Sequence, residues 1–468
     1  MRAYLALLLA VVACGDDSNH GLPDSASGID TSLPIDGALP SVSVTVTLTG
    51  TPQAGVPVYF LNQDSTVVSS TTTDASGTAS AMMMAGGSVT VLAPPNPSAV
   101  ASTNIYTWEA VRGGDKLKLD LDPPSVATTA TITVTVPVDG AAVGYTLYSA
   151  CAGPTSLTTD GNNTVVLTNC GATTDLLLVT SDGTGAPIDE IFVPAAAVAD
   201  GDTVAFAAPY IAVGQTTYSY TNVAADVVGV KTIEQLTTGS GMLYFGGVTD
   251  VLTTGAATGT QPFPTATGSI DIFETQFLPN VAAIGELDTL EWGPANAAYA
   301  LDVSTLALPE YATAPAVIAT TSTHKVEWTE DIGGQTPDFS WVTFDVSRTG
   351  ATIPSWTWNI MDSHPPNDQI TIPTLPTDIF DYNPNDTDTT QIDQLTTGKL
   401  PGGYDVIRPI IYDLQQGPGP LITGASGSIS LEELAPPPIV SGIRKVRDPF
   451  RLHQVQATAP AKRVRNRW

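Results

Sequence analysis

Ser41-Val42-Ser43-Val44-Thr45-Val46-Thr47-Leu48-Thr49 decides the fold class, because apolar residues alternate through it with small hydroxyl residues. A period of two sends successive side chains to opposite faces of a strand, one toward a core and one toward water. The same texture returns at 88–92, 131–136, 203–206, 325–329, 340–346, 356–360 and 369–372, with Gly, Pro and Asp punctuating the runs. That is the pattern of short strands and turns. The expected class is all-β, with small Greek-key sandwiches in tandem followed by a larger β-sandwich or jelly-roll-like domain.

Outward from this strand, residues 41–122 make a first unit. It contains Ala54-Gly55-Val56-Pro57-Val58-Tyr59, Thr73-Asp74-Ala75-Ser76-Gly77 and Gly86-Gly87-Ser88-Val89-Thr90-Val91. These phrases resemble the carboxypeptidase regulatory-like (transthyretin-like) and related Ig-like modules of bacterial surface proteins. The resemblance implies a sandwich in which 74–77 form a hairpin turn, and a spacer or adhesion role without catalytic residues. Residues 123–209 read as a second Ig-like sandwich. Its closing phrase, Gly201-Asp202-Thr203-Val204-Ala205-Phe206, parallels Gly114-Asp115-Lys116-Leu117-Lys118-Leu119 of the first, as tandem modules ending on equivalent strands would.

Residues 210–434 differ in character and hold five of the seven tryptophans, Trp292, Trp328, Trp341, Trp356 and Trp358. They are expected to form one larger sandwich or a fused pair. Ile233-Glu234-Gln235-Leu236-Thr237-Thr238-Gly239 is echoed by Ile392-Asp393-Gln394-Leu395-Thr396-Thr397-Gly398, which suggests a duplication, a pairing of the two ends, or coincidence in a Thr-rich chain.

The N-terminus carries an address. Arg2 precedes the apolar run Leu5 to Val12, which is too short to span a bilayer as a mature helix. Leu7-Leu8-Leu9-Ala10-Val11-Val12-Ala13-Cys14 resembles a bacterial lipoprotein signal. The resemblance implies removal of 1–13 and acylation of Cys14, hence a lipid anchor in the cell envelope, and Gly15 favours the outer membrane. Residues 14–40 hold five aspartates, three prolines and no basic residue, the composition of a flexible tether. The tail, 435–468, starts with Pro436-Pro437-Pro438 and reverses the charge, with eight basic residues against Asp448; it reads as a disordered, solvated segment.

Charge narrows the partners. From 14 to 434 there are 8 basic and 45 acidic residues, a net charge of −37. Such a body repels nucleic acid and anionic headgroups. With Cys14 lipidated, Cys151 and Cys170 remain as a pair in an oxidising compartment, and a disulfide between them is expected.

Catalytic signatures are scarce. The chain has no GxSxG, HExxH, P-loop or GxGxxG, and its histidines, His20, His324, His364 and His453, are dispersed. Asp362, Ser363 and His364 are adjacent and cannot relay through one another. Two binding possibilities stand. Asp381, Asn383, Asn385, Asp386 and Asp388 set oxygen ligands as Ca²⁺ selects them, though the EF-hand glycine and glutamate are missing; the other reading is an Asx-rich turn. Trp328, Trp356 and Trp358 offer either flat indoles for sugar stacking or core filling. The expectation is a non-enzymatic envelope lipoprotein displaying sandwiches to a protein or polysaccharide. The alternatives are a hydrolase with its site in 210–434 and a purely structural envelope role.

Overall fold

The computed structural model describes residues 40–434 except 49, 94–102, 122–128, 159, 239–240, 253–254, 267, 280–284, 295–297, 321–323, 332, 352 and 413–426. Cys14, the tether and the basic tail therefore lie outside the described residues. The protein is all-β, built from two-layer sandwiches, and one strand plan recurs along it.

The first module comprises β1 (Ser41–Leu48), β2 (Thr51–Pro52), β3 (Pro57–Leu61), β4 (Val67–Thr72), β5 (Thr78–Met82), β6 (Gly87–Ala93), β7 (Thr103–Val111) and β8 (Lys116–Leu121). Strand β1 pairs antiparallel with β2 and β5, and parallel with the closing strand β8. The facing layer runs β4-β3-β6-β7. Val42, Val44 and Val46 point into the space between the layers and are fully buried, as the alternation of the opening stretch requires. The turn into β5 is made by Asp74, whose Oδ1 accepts the backbone N–H groups of Ser76 and Thr78. Gly77 closes that turn at φ +74°, with the Val46 carbonyl where a Cβ would sit.

The second module repeats the plan with β9 (Thr129–Val136), β10 (Gly144–Ser149), β11 (Thr155–Leu157), β12 (Gly161–Thr168), β13 (Thr173–Ser181), β14 (Pro187–Ala197) and β15 (Thr203–Ala205). One layer is β12-β9-β15, again with the last strand parallel to the first. The other is β11-β10-β13-β14, extended at β14 by the short β16 (Ile211–Ala212). The two similar closing phrases thus lie on topologically equivalent strands, β8 and β15. Cys151 and Cys170 form a disulfide. They follow β10 and β12, strands of opposite layers rather than neighbours in one sheet, so the bond ties the two layers together.

Residues 210–434 are a fused pair of modules. The third has β17 (Gly214–Thr221), β18 (Val227–Thr238), β19 (Gly241–Val251), β20 (Ala257–Phe263), β21 (Ile270–Pro279), β22 (Gly285–Pro294) and β23 (Ala298–Asp302), layered as β20-β17-β23 and β19-β18-β21-β22. The fourth has β24 (Tyr311–Ala319), β25 (His324–Glu330), β26 (Phe339–Ser347), β27 (Ser355–Ser363), β28 (Gln369–Thr371), β29 (Thr389–Lys399), helix α1 (Tyr404–Ile407) and β30 (Gly427–Leu434). Its layers are β24-β25-β28 and β27-β26-β29-β30. Beside β25, the place of a parallel closing strand is taken by β24, which runs antiparallel. The echoed phrases fall on β18 and β29, which occupy different positions in the plan and do not pair, so they record neither a duplication nor a closure.

The four-stranded layers of modules three, four and one join edge to edge into a twelve-stranded sheet. One seam is the antiparallel pair β22–β30, where Gly427 lies so close under the Trp292 indole that a side chain there would strike it. The other is the parallel pair β7–β27, from Thr103 opposite Trp356 to Trp108 opposite Met361. A strap over residues 404–412 crosses this second seam. The Tyr412 hydroxyl reaches the carbonyls of Thr107 (2.9 Å) and Asn359 (3.0 Å), and that of Tyr404 reaches Glu109 (2.7 Å) and Met361 (3.3 Å). Each tyrosine therefore touches both strands. Arg408, 2% exposed, holds the strap to module one through Asp115, with guanidinium-to-carboxylate distances of 2.8 and 2.9 Å.

Candidate functional site

The tryptophans are not a ligand platform. Trp328 is 5% exposed, Trp356 1% and Trp358 0%. They pack with Val326, Val342, Phe344 and Ile370 between the two layers of module four. Trp341 faces the other way and is equally buried, in the core shared with module one and the strap. The period of two holds on β26 and β27, and both faces of this pair are covered. The Trp358 indole N–H donates to the Thr107 hydroxyl at 3.0 Å, a hydrogen bond across the seam.

The oxygen-rich loop at 381–388 holds a cation of the protein's own. Arg348 donates to both carboxylate oxygens of Asp388 at 2.7 Å, and to the backbone carbonyls of Asp381 and Asn383. Its guanidinium also lies over the Trp356 ring, 4.9 Å from the centroid. A planar fork satisfied on both edges is the strong form of this pair. The side chain of Asn383 is spent on Leu375 and Phe380, and that of Asn385 on Thr387, as in Asx turns. The five candidate residues Asp381, Asn383, Asn385, Asp386 and Asp388 thus form a capped turn around Arg348 rather than a Ca²⁺ cage.

A different constellation comes together at the end of β25. Glu330 closes that strand, His364 follows β27, and Asp368 ends the turn into β28; one ligand atom from each lies within 4.8 Å of the others. His364 Nε2 stands 3.6 Å from Glu330 Oε2, and both side chains are more than nine-tenths buried. His364 Nδ1 shares a hydrogen bond of 2.9 Å with Ser340 Oγ, and Ser340 is fully buried in β26. The Trp328 indole donates to Glu330 Oε1 at 2.8 Å, and the Glu330 N–H donates to Asp368 Oδ2 at 3.1 Å. Burial pushes the Glu330 carboxyl up to about 7, against the opposing pull of the Trp328 hydrogen bond, while burial lowers His364. Ser340, His364 and Glu330 are the residue types of a triad, but the serine is sealed in the sheet and sits on Nδ1, so no substrate could meet it as a nucleophile. Sequence reasoning missed this grouping because His364 and Asp368, in the connection from β27 to β28, meet Glu330 at the end of β25 only once the two layers close.

A second buried polar group lies within module three. Thr216 and Gln261 donate to the two oxygens of Glu234, 2.7 Å each, and the Tyr299 hydroxyl donates to Asp271 Oδ2 at 2.7 Å. Glu234 is fully buried, and burial, reinforced by the nearby Asp271 charge, raises its carboxyl well above the usual range.

Among the described residues, no helix is long and apolar enough to cross a membrane. No family model and no curated protein matches the chain. Solved structures with some likeness include the Bacillus anthracis TIE protein, at 12% identity over 57% of this chain and TM-score 0.15. This chain covers 50% of the length of that protein. Others are the shaft pilin SpaA of Lactobacillus rhamnosus GG (9% identity, 37% of this chain and 98% of that one, TM-score 0.15) and BcpA, the major pilin subunit of Bacillus cereus (10%, 56% and 98%, TM-score 0.14). Overlap at these TM-scores carries no argument about this protein.

Proposed function

We propose that this chain is a non-enzymatic cell-envelope lipoprotein whose sandwich modules form a stiff platform for an envelope protein or polysaccharide, held to the outer membrane by lipid on Cys14. The observation that carries this reading is the twelve-stranded sheet shared by three modules. Three domains on a common hydrogen-bonded ladder cannot hinge at their junctions without breaking it, which suits a load-bearing or presenting role. The polar tether after Cys14 would hold the array off the bilayer. The test is mass spectrometry of the mature N-terminus from envelope fractions, with Cys14→Ser beside it. An acylated Cys14 in the outer membrane, and release of the variant into the soluble fraction, is the expected result; an unmodified Cys14 overturns the anchor. Binding is checked by pull-down against isolated envelope polysaccharide and protein.

The enzymatic alternative draws on one observation, the convergence of Glu330, His364 and Asp368 within 210–434. It would require hydrolytic turnover that disappears with His364→Ala.

A further inference from the structure

We propose that Glu330, His364 and Asp368 form a binding site for a first-row divalent transition ion of the zinc class, with Ser340 setting the histidine tautomer.

Three features carry this. The first is the donor set. One imidazole and two carboxylates is a mixed nitrogen and oxygen set of the kind zinc and its neighbours accept, whereas Ca²⁺ takes six to eight oxygens. The second is spacing. Ligands about 2.0–2.2 Å from a tetrahedral ion stand roughly 3.3–3.5 Å apart, too far for hydrogen bonds to one another. His364 Nε2 and Glu330 Oε2 are 3.6 Å apart, and a ligand oxygen of Asp368 lies within 4.8 Å of the ligand atoms of both residues, so that carboxylate draws in when an ion is bound.

The third feature is the surrounding shell. Metal-binding histidines hold their other nitrogen on a hydrogen-bond partner, which fixes ring orientation and tautomer. With the His364 Nδ1–H donating to Ser340 Oγ, the Nε2 lone pair faces the two carboxylates. Each carboxylate is likewise oriented through one oxygen, Glu330 by the Trp328 indole and Asp368 by the Glu330 N–H. The backbone joins the same parts, since the Trp328 N–H donates to the Asp368 carbonyl at 3.0 Å. Two carboxylates and a neutral imidazole match the charge of a dication. Three protein ligands leave a fourth position for water or for a donor from a bound partner.

The experiment titrates Zn²⁺ into the full chain after chelator treatment, by calorimetry, and repeats the titration with Co²⁺ while following visible absorption. One tight equivalent is expected. His364→Ala and Asp368→Asn should each weaken it at least tenfold and abolish the Co²⁺ band, and Ser340→Ala should weaken it about 10–100-fold. His324→Ala should change nothing. Asn at 368 can still accept the Glu330 N–H, so that variant keeps the turn. Its metal-free melting midpoint should match the parent, and zinc should raise the parent midpoint alone. Binding that survives in both ligand variants, or a parent that takes up no zinc at millimolar concentration, overturns the proposal.

Discussion

Modules one and two share a strand plan and a closing phrase, yet one is built into a sheet of twelve strands and the other keeps a sheet to itself. The difference lies at the edge strands. In module one the outer edge of β7 is open and takes β27 as a parallel neighbour. In module two the corresponding edge, β14, is covered by β16, where Asp189 and Glu190 pair with Ala212 and Ile211. An unpaired edge is a template for any extended segment, and two residues of linker are enough to close it. Module two meets module three through side chains instead, with Leu177 and Val179 packing on Leu236, Leu243, Tyr244 and Phe263. Each solution has its own fastener, a disulfide in module two and the 404–412 strap in module one.

The largest expected effect comes from removing the strap's anchor. Arg408→Ala leaves the Asp115 carboxylate without its buried partner and should cost about 3–5 kcal/mol. Denaturant unfolding should show the loss, and hydrogen exchange should place it at β7 and β27. Exchange that rises equally in module two would mean that the two fasteners are not independent.

Opening the disulfide comes next. Cys151→Ser with Cys170→Ser should destabilise module two by about 3 kcal/mol in the chain-entropy picture. Amides of β9 to β15 should lose protection while those at the β7–β27 seam keep theirs. Loss at the seam would contradict the separation drawn here.

A pH profile reaches module three. A carboxyl held above its unfolded value binds its proton more tightly when folded. The stability from protonated Glu234 is therefore complete below the ordinary glutamate range and is withdrawn as pH rises through neutrality. The slope should approach about 1.4 kcal/mol per pH unit at most. Glu234→Gln should flatten it; a variant with the parent's slope would assign the effect elsewhere.

The smallest change is at β16. Ile211→Pro with Ala212→Pro strips the cover from β14 and should alter stability by less than about 1 kcal/mol, because both residues are exposed. Its signature is association: concentration-dependent dimers by light scattering, absent in the parent. A monomeric variant would show that β16 is not what keeps module two apart.

Much of the local structure was legible in the sequence. Alternation in 41–48 and 131–136 located strands, and the similar phrases ending at Leu119 and Phe206 marked equivalent closures. The parity of Cys151 and Cys170 gave the disulfide. What the sequence hid is relational. The indoles of 356 and 358 offer themselves for a sugar in the sequence because nothing nearby discloses that the β24-β25-β28 layer of module four closes over them. The loop at 381–388 looked ready for a cation, and the cation is Arg348, dozens of residues upstream. Glu330, His364 and Asp368 have no regular spacing, since three strand ends converge only after the two layers close. The fourth module has no legible ending because β24, its own first strand, stands in the closing place.

The parallel seam has a consequence in time. Trp358 and Thr107, which bond across it, are 251 residues apart in the chain. Synthesis delivers the N-terminal half first, and a loop that long must close before the ladder can form. The first module to emerge must therefore wait for a strand of the fourth before its sheet is complete. Until β27 arrives, β7 travels with a bare edge in a crowded compartment, where capture by a stray strand competes with the native partner.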